Sequence, residues 1–189
     1  MFKQSVVLLS GLLSASAFAQ WTLDQDNSAL HFMSTKNAQV TEVHSFDHFS
    51  GKLSDSGTLT IEVPLDSVNT NIPIRNTRMQ EMLFEVAKYP TATFSANLPS
   101  ALLDMAAGTS KASVVEGELS LHGMTAPVSF NVMVSKLSDD TIQASTVSPT
   151  LIGAETFGLK GGVEALQNIA GLKSITFNAP VTFSVTFEK

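Results

Sequence analysis

Four histidines are the side chains of this sequence best suited to metal binding or acid–base chemistry: His31, His44, His48 and His122. His44 and His48 are four residues apart and share a face if both lie in one strand, whereas Asp47 points the other way. A metal site needs three or four converging ligands. We therefore expect imidazoles that hydrogen-bond to their neighbours, with no metal site. A metal-dependent enzyme using His44 and His48 is the less favoured alternative.

Nucleophilic and phosphate chemistry have no clear support in the sequence. A reactive Cys or a G-x-S-x-G motif marks many nucleophilic sites, and the sequence contains neither. Gly161 and Gly162 lack the longer glycine pattern of a phosphate-binding loop. The sequence thus predicts a protein without catalytic residues or a cofactor, rather than an enzyme.

Arg75 and Arg78 stand out because the chain has only 11 basic residues. They are three residues apart and fall on one side of a predicted helix. Such a pair can contact an anionic head group or simply face water, and the spacing alone favours water. Arg75 is nevertheless the best candidate in the sequence for contact with a polar head group.

Strands must position most of these side chains, because stretches with a period of two recur along the chain. In ITFNAPVTFSVTF, residues 175–187, every odd position is apolar, which is typical of a half-buried strand. Similar alternation occurs at residues 30–32, 59–63, 91–98, 115–121 and 128–134, and more weakly at 142–147. HGMTAP at 122–127 and LSDDT at 137–141 predict turns between strands.

Two segments break this alternation. Residues 74–86 follow Pro73 and predict a short amphipathic helix, with apolar residues at helical spacing: Met79, Met82, Leu83 and Val86. Residues 151–172 are richer in glycine, and we expect one or two helical turns within GGVEALQNIAG.

The architecture that fits this pattern is an antiparallel sheet with one wet face, because so few helices cannot cover both faces of a parallel sheet. Closing about eight such strands into a barrel removes the exposed edges. The interior of such a barrel is either filled by side chains or able to hold one small ligand. Periodicity does not choose between these two interiors, and an open sandwich also fits.

The first 19 residues combine one positive charge, a short apolar run and the ending Ala-Phe-Ala, which is typical of a cleavable secretory signal peptide. We expect residues 1–19 to be that signal peptide and residues 20–189 to form one periplasmic domain. Without Lys3 the chain keeps 10 basic and 17 acidic residues, a formal charge of −7. An acidic chain does not favour a nucleic-acid partner.

Three segments resemble the YceI-like family of secreted bacterial lipid-binding proteins. WTLD at 21–24 with NSALHF at 27–32 is similar to the family's opening W-x-x-D…x-S-x-x-x-F. DSVNTNIPIRNTRMQEMLFEVAKYPTATF at 66–94 resembles its S-V-x-T…R-x-x-x-[ML]…F-[DE]-V-x-K-Y-P-x-A-x-F run, and EGELSLHGMTAPVSF at 116–130 resembles G-x-L-x-[LI]-x-G-x-T-x-P-V. The chain departs from the family pattern at His44, where a Gly often stands, and at Asn76, which replaces the Asp of an R-D pair.

The resemblance implies an all-β fold: an extended, lipocalin-like, eight-stranded antiparallel β-barrel with a short helix near one mouth. It implies a non-catalytic carrier that holds a long-chain isoprenoid, such as an isoprenoid quinone or prenyl pyrophosphate, or another amphiphilic lipid. Transient membrane contact is expected, and monomer and homodimer both stay open. An interaction or structural barrel without a ligand is the main alternative. The predicted lumen-wall residues are Leu30, Phe32, Leu59, Ile61, Met79, Met82, Leu83, Phe84, Phe94, Leu119, Leu121, Phe130, Phe177 and Phe183, and Arg75 is the head-group candidate.

Overall fold

The computed structural model describes residues 20–189, whose strands form one antiparallel sheet that closes on itself. The expected signal peptide, residues 1–19, lies outside the described residues. The strands are β1 (Gln20–Lys36), β2 (Val40–Phe46), β3 (Ser50–Ser54), β4 (Thr58–Pro64), β5 (Val68–Asn69), β6 (Thr91–Asn97), β7 (Thr109–Leu121), β8 (Met124–Ser138), β9 (Thr141–Thr146), β10 (Thr150–Gly153) and β11 (Asn178–Glu188). Pairing of β1 with β11 brings the two ends of the described chain together and leaves a closed wall.

Eight strand positions make up this wall, because two pairs of short strands each act as one bent strand. β2 and β3 both pair with β1 on either side of a bend at residues 47–49. β9 and β10 likewise both pair with β11, while β5 extends the edge of β2. The predicted eight-stranded antiparallel barrel is therefore confirmed, including its short helix.

Three helices accompany the barrel: α1 (Pro73–Arg78), α2 (Ser100–Leu103) and α3 (Lys160–Ile169). Pro73 stands in the first turn of α1, where its missing N–H and fixed φ are tolerated. A π-helical turn over Met79–Leu83 continues α1 directly and packs against α3. No helix within residues 20–189 has the length and apolar character needed to cross a bilayer.

Two predictions about strands and turns are corrected by the structure. The turn expected over residues 122–127 contains only His122 and Gly123, with φ of 53° and 75°, as in the tight hairpins that favour a left-handed pair. Pro127 lies inside β8, where its missing N–H is tolerated because pairing with β9 starts only at Val132. The last strand begins at Asn178 rather than at residue 175.

Both helical predictions also differ from the structure in extent. The helix expected over 74–86 starts at Pro73 and ends at Leu83, and Glu85 takes a φ of 48° that no helix continues through. α3 spans 10 residues, more than the one or two turns expected. Its contact with the π-helical turn explains the difference, because packing stabilises helices whose own sequence is weakly helical.

Two buried clusters occupy the two ends of the barrel. At the end covered by α2, Trp21, Leu53 and Leu102 are almost fully buried, and Lys136 and Lys189 lie over the Trp21 ring at 4.1 and 4.7 Å. At the other end, the π-helical turn and α3 pack with Phe84 and Phe157. The space between the two clusters is the interior of the barrel.

Candidate functional site: an apolar lumen with a polar mouth

The interior of the barrel is hollow and holds a cavity of about 650 Å³. Its wall is formed by the inward positions of the strands together with the π-helical turn and α3. Most of these side chains are aliphatic or aromatic, so the cavity suits an apolar guest. The volume lies within the range of roughly 300–1,000 Å³ typical of small-molecule sites.

The structure places thirteen of the fourteen predicted wall residues on this cavity, and Arg75 lies on it as well. Met82 does not line it. The turn is closed by a hydrogen bond of 2.9 Å from the Phe84 N–H to the Met79 carbonyl, five residues apart. In such a wide turn, residues four and five apart face the same side and a residue three apart does not. The prediction that Met82 lines the cavity assumed the spacing of an α-helix, and it was therefore wrong.

The contribution of α3 to the cavity wall was not predicted from the sequence. Leu159, Val163, Leu166 and Ile169 all line the cavity. They recur every three or four residues, which is the amphipathic signal of a helix facing a core. This spacing could have identified the second helix, but the neighbouring glycines argued for irregular chain.

Aromatic rings line much of the middle of the cavity. Phe94 and Phe183 each meet Phe130 nearly edge-on, with ring centroids 5.2 Å apart. Elsewhere in the cavity wall, the ring centroid of Phe46 lies 5.4 Å from that of Phe32 and 6.0 Å from that of Phe84. These ring–ring contacts favour defined ring orientations and give the cavity wall an apolar surface.

One end of the cavity opens between α1, the β1–β2 hairpin and the segment after α3. Ile74 is 59% exposed and Ile169 is 48% exposed, and both line the cavity. The Asn37 N–H donates to the Ser174 carbonyl at 2.9 Å, which ties the hairpin to the segment after α3. We call this opening the mouth.

Charged side chains of the cavity wall gather at the mouth. The Arg75 Nη1 donates to Glu42 Oε2 at 2.7 Å, and its Nη2 donates to the Thr70 carbonyl at 2.6 Å. Lys36 pairs with the same Glu42 carboxylate. The hydrogen bond from Lys36, with the charge of Arg75, holds the pKa of Glu42 below its ordinary value. The carboxylate is thus ionised and ties β1, β2 and α1 together.

His44 lies beside this cluster and is 4% exposed. It faces inward from β2, with Nε2 2.9 Å from the Ser34 hydroxyl and its ring centroid 5.1 Å from that of Phe32. Burial, with the nearby charge of Arg75, lowers the pKa of His44 below its ordinary value. A neutral imidazole is therefore held in the cavity wall at neutral pH.

The arrangement of His44 and His48 corrects the expectation that they share a face. β2 ends at Phe46, and His48 falls in the bend before β3, where it is exposed. Within residues 20–189, no three side chains of the His, Cys, Asp or Glu type come together as a metal site. The sequence signal for a two-histidine site therefore does not correspond to a convergent pair.

The fold and the cavity together define a β-barrel of the binding-protein class with a hollow, mainly apolar interior. The chain belongs to the YceI-like domain family, whose model matches residues 21–187. This match covers almost all of the described residues, so the family prediction is confirmed.

Solved structures agree with this assignment. A polyisoprenoid-binding domain from Saccharophagus degradans, implicated in plant cell wall breakdown, is 37% identical over 89% of this chain and 97% of its own, with a TM-score of 0.85. BcnA from Burkholderia cenocepacia is 19% identical over 87% of this chain and 98% of its own, with a TM-score of 0.66. A YceI protein from Campylobacter jejuni is 18% identical over 78% and 88%, with a TM-score of 0.51. The last two show the shared fold alone. Among curated proteins, the comparison found no match.

Proposed function

We propose that this chain is a periplasmic, non-catalytic protein that sequesters or carries one long-chain isoprenoid lipid in its lumen. The lipid is of the isoprenoid quinone or prenyl pyrophosphate type. The observation that carries the proposal is the hollow apolar interior with charged groups at one end only. The likeness to a polyisoprenoid-binding domain at 37% identity supports the same ligand class.

The energetics of an apolar lumen suit a carrier. Burying a chain of about 40 carbons from water gains about 30 kcal/mol at about 0.8 kcal/mol per CH₂, which exceeds the practical limit of about 18–21 kcal/mol for noncovalent affinity. Ordering the flexible chain offsets part of this gain. Since the lipid otherwise resides in a membrane rather than in water, the net transfer is close to balance. A carrier requires this balance because it must also release its ligand.

The main alternative, a structural barrel without a ligand, requires side chains to fill the interior. The cavity of about 650 Å³ argues against it. The non-catalytic character and the periplasmic location remain predictions. The location is based on the signal-peptide pattern of residues 1–19.

The proposal includes transient contact of the mouth with a membrane. Ile72 and Ile74 expose apolar surface beside the mouth, and Arg75, Arg78 and Lys36 line the cavity there. Apolar side chains next to cations are suited to the interface of an anionic bilayer. Contact at this place would let a lipid pass into the lumen without crossing water.

Lipid extraction tests the proposed function directly. Protein purified from the periplasm of its own host should release about one isoprenoid lipid per chain into organic solvent, as measured by mass spectrometry. Ala144 is half-buried and lines the cavity, so Ala144→Phe should fill the lumen and reduce the bound lipid at least several-fold.

Ala112→Phe is the matched control for this experiment. Ala112 lies on the exposed face of β7, so the same added volume there should leave the lipid content unchanged. Recovery of no isoprenoid from the unmodified protein, even after incubation with prenyl quinones and prenyl phosphates, would contradict the proposal. Equal lipid content in the two variants would show that the lipid lies outside the lumen.

A further inference from the structure

Two side-chain nitrogens near the mouth are buried without a hydrogen-bond partner: His44 Nδ1 and Arg75 Nε. Within residues 20–189 they are the only buried side-chain nitrogen or oxygen atoms of this kind. Both residues line the cavity, and the charge of Arg75 acts on the imidazole of His44. Buried polar groups in folded proteins nearly always have hydrogen-bond partners. Two buried nitrogens without a partner, on residues of one cavity wall, therefore indicate a ligand group that hydrogen-bonds to them.

The remaining atoms of both side chains indicate what kind of group this is. Arg75 Nε–H can only donate, and the other two nitrogens of this guanidinium already donate to Glu42 and the Thr70 carbonyl. His44 Nε2 is bonded to the Ser34 hydroxyl. When that hydroxyl donates to Nε2, the neutral imidazole carries its proton on Nδ1. In this tautomer both unpaired nitrogens are donors. Arg75 Nε is a donor whichever tautomer His44 adopts, so a partner that completes both nitrogens is an acceptor.

The charges around the cavity point to the same chemistry. The charged side chains on its wall are Lys36, Arg75, Arg78 and Glu42, so cations outnumber the single carboxylate. A head group with an ammonium would meet uncompensated positive charge. A head group rich in oxygen, either neutral or anionic, would be attracted.

We propose that His44 Nδ1–H and Arg75 Nε–H donate hydrogen bonds to an acceptor oxygen in the head group of the isoprenoid ligand. The oxygen belongs to a quinone carbonyl or to a phosphate, and amine-bearing lipids are rejected. This inference rests on the proposed function, and it adds the two donor atoms that would contact the head group, with His44 as a specificity residue. Both nitrogens are shielded from solvent, so the surrounding side chains must shift to admit the oxygen. The resulting bonds form away from water, where they are strong.

The first test is ¹⁵N NMR of the imidazoles, because the chain has only 4 His. The full-length mature protein, stripped of lipid, is titrated with a prenyl quinone, a prenyl phosphate, a prenylamine and an unsubstituted prenyl hydrocarbon of equal chain length. The free protein should show the Nδ1–H tautomer of His44. The quinone and the phosphate should shift the Nδ1 signal, and the hydrocarbon should not. If His44 becomes protonated when the prenyl phosphate binds but not when the quinone binds, the signal distinguishes a phosphate oxygen from a quinone carbonyl.

The second test compares affinities in variants. His44→Phe keeps a ring of similar size and should weaken binding of the quinone or phosphate lipid about tenfold, while binding of the hydrocarbon is unchanged. Arg75→Gln should have the same selective effect. His48→Phe is the matched control, since His48 is exposed in the bend before β3, and it should bind all four lipids like the unmodified protein. If His44→Phe fails to fold, His44→Gln and the NMR titration provide the same comparison.

The outcomes separate the inference from the proposed function. Binding of all four lipids with equal affinity, or a His44 signal that responds equally to the hydrocarbon, would overturn the head-group assignment and leave the lipid carrier intact. Binding of none of the lipids by the unmodified protein would overturn the proposed function and this inference together.

Discussion

At the residue scale, His44 shows how much one inward-facing strand position can depend on its surroundings. Its neighbours on β2, Val43 and Ser45, face away from the cavity wall that it shares with Phe32 and Phe46. An imidazole in that wall is desolvated and close to the positive charge of Arg75, and both effects oppose a second positive charge. The protonation of His44 is therefore coupled to folding.

We predict that His44 makes the protein less stable as the pH falls below about 6.5, the ordinary value for His. The pKa of His44 is lowered in the folded state, so in this window the unfolded chain binds a proton that the folded chain does not. The free energy of unfolding therefore falls as the pH falls, until the folded-state pKa is reached. The charged groups acting on His44 are Arg75, Glu42 and Lys36.

Urea unfolding at pH 7.5 and 5.5 measures this effect. The unmodified protein should lose more stability between the two pH values than His44→Gln, and exposed His48→Gln should lose as much as the unmodified protein. The pKa of Glu42 is also lowered in the folded state, so protonation of this carboxylate in acid reduces the free energy of unfolding. That loss begins only near pH 4.5, the ordinary pKa of the group, which is below the two pH values compared. Equal losses in the unmodified protein and His44→Gln would contradict the prediction.

At the element scale, the contact between α3 and the π-helical turn forms one side of the mouth. Gly162 allows the two elements to approach closely, because a Cβ there would lie 2.7 Å from the Met82 carbonyl oxygen and 2.8 Å from the Leu83 Cα. Both are backbone atoms and cannot turn aside. The fit of α3 over the lumen thus depends on the absence of one side chain.

We predict that Gly162→Ala pushes α3 away from the turn and destabilises the protein by about 1–3 kcal/mol, the usual effect of overpacking. Gly161→Ala is the matched control, because a Cβ at Gly161 meets nothing within 4 Å. It should be neutral, or stabilising by up to about 1 kcal/mol, since Ala favours a helix more than Gly. Urea unfolding and the rate of lipid release measure both effects. Equal stability of the two variants would contradict the prediction.

The secondary structure could be predicted to very different degrees from the sequence. The alternation at residues 91–98 and 115–121 identified β6 and much of β7, because one wet and one dry face impose a period of two. The bend at 47–49 and the π-helical turn were not predicted. Each depends on pairing or packing with distant parts of the chain. The bend, for example, separates β2 from β3, and both of these strands pair with the long strand β1.

At the scale of the whole molecule, the two ends of the barrel differ. The end covered by α2 is packed around buried Trp21 and Leu53, while the other end opens at the mouth with exposed Ile74. The proposed lipid would therefore enter and leave at one end. The proposed membrane contact would then be made by the mouth rather than by the side of the barrel.

We predict that Ile74→Ser slows the transfer of lipid between the protein and anionic vesicles by roughly threefold to tenfold. Burying an exposed Ile side chain contributes about 1.5–3 kcal/mol, and a side chain that is 59% exposed loses about half of this. Transfer of a fluorescent prenyl lipid measures the rate, and high salt should slow transfer by the unmodified protein because it screens the cations at the mouth.

Leu137→Ser is the control for this membrane contact. Leu137 is 53% exposed, and it lies next to Lys136, which covers the Trp21 ring at the opposite end of the barrel. Loss of this equally apolar side chain should leave the transfer rate unchanged. An equal effect of both substitutions would show that the protein meets the membrane without a preferred end.

The sequence by itself determined the alternating strands, many of the inward apolar residues on them and, through its motifs, the family. These features arise from local periodicity and residue type, which are properties of the sequence itself. Only the tertiary structure decided that the lumen is hollow, that β1 closes the barrel on β11, and that His44 and Arg75 line the same cavity. Arg75 and Glu42 are 33 residues apart, and β1 and β11 lie at opposite ends of the described chain. Contacts at such separations, and the volume left between side chains from every strand, are set by the packing of the whole chain, which no local pattern records.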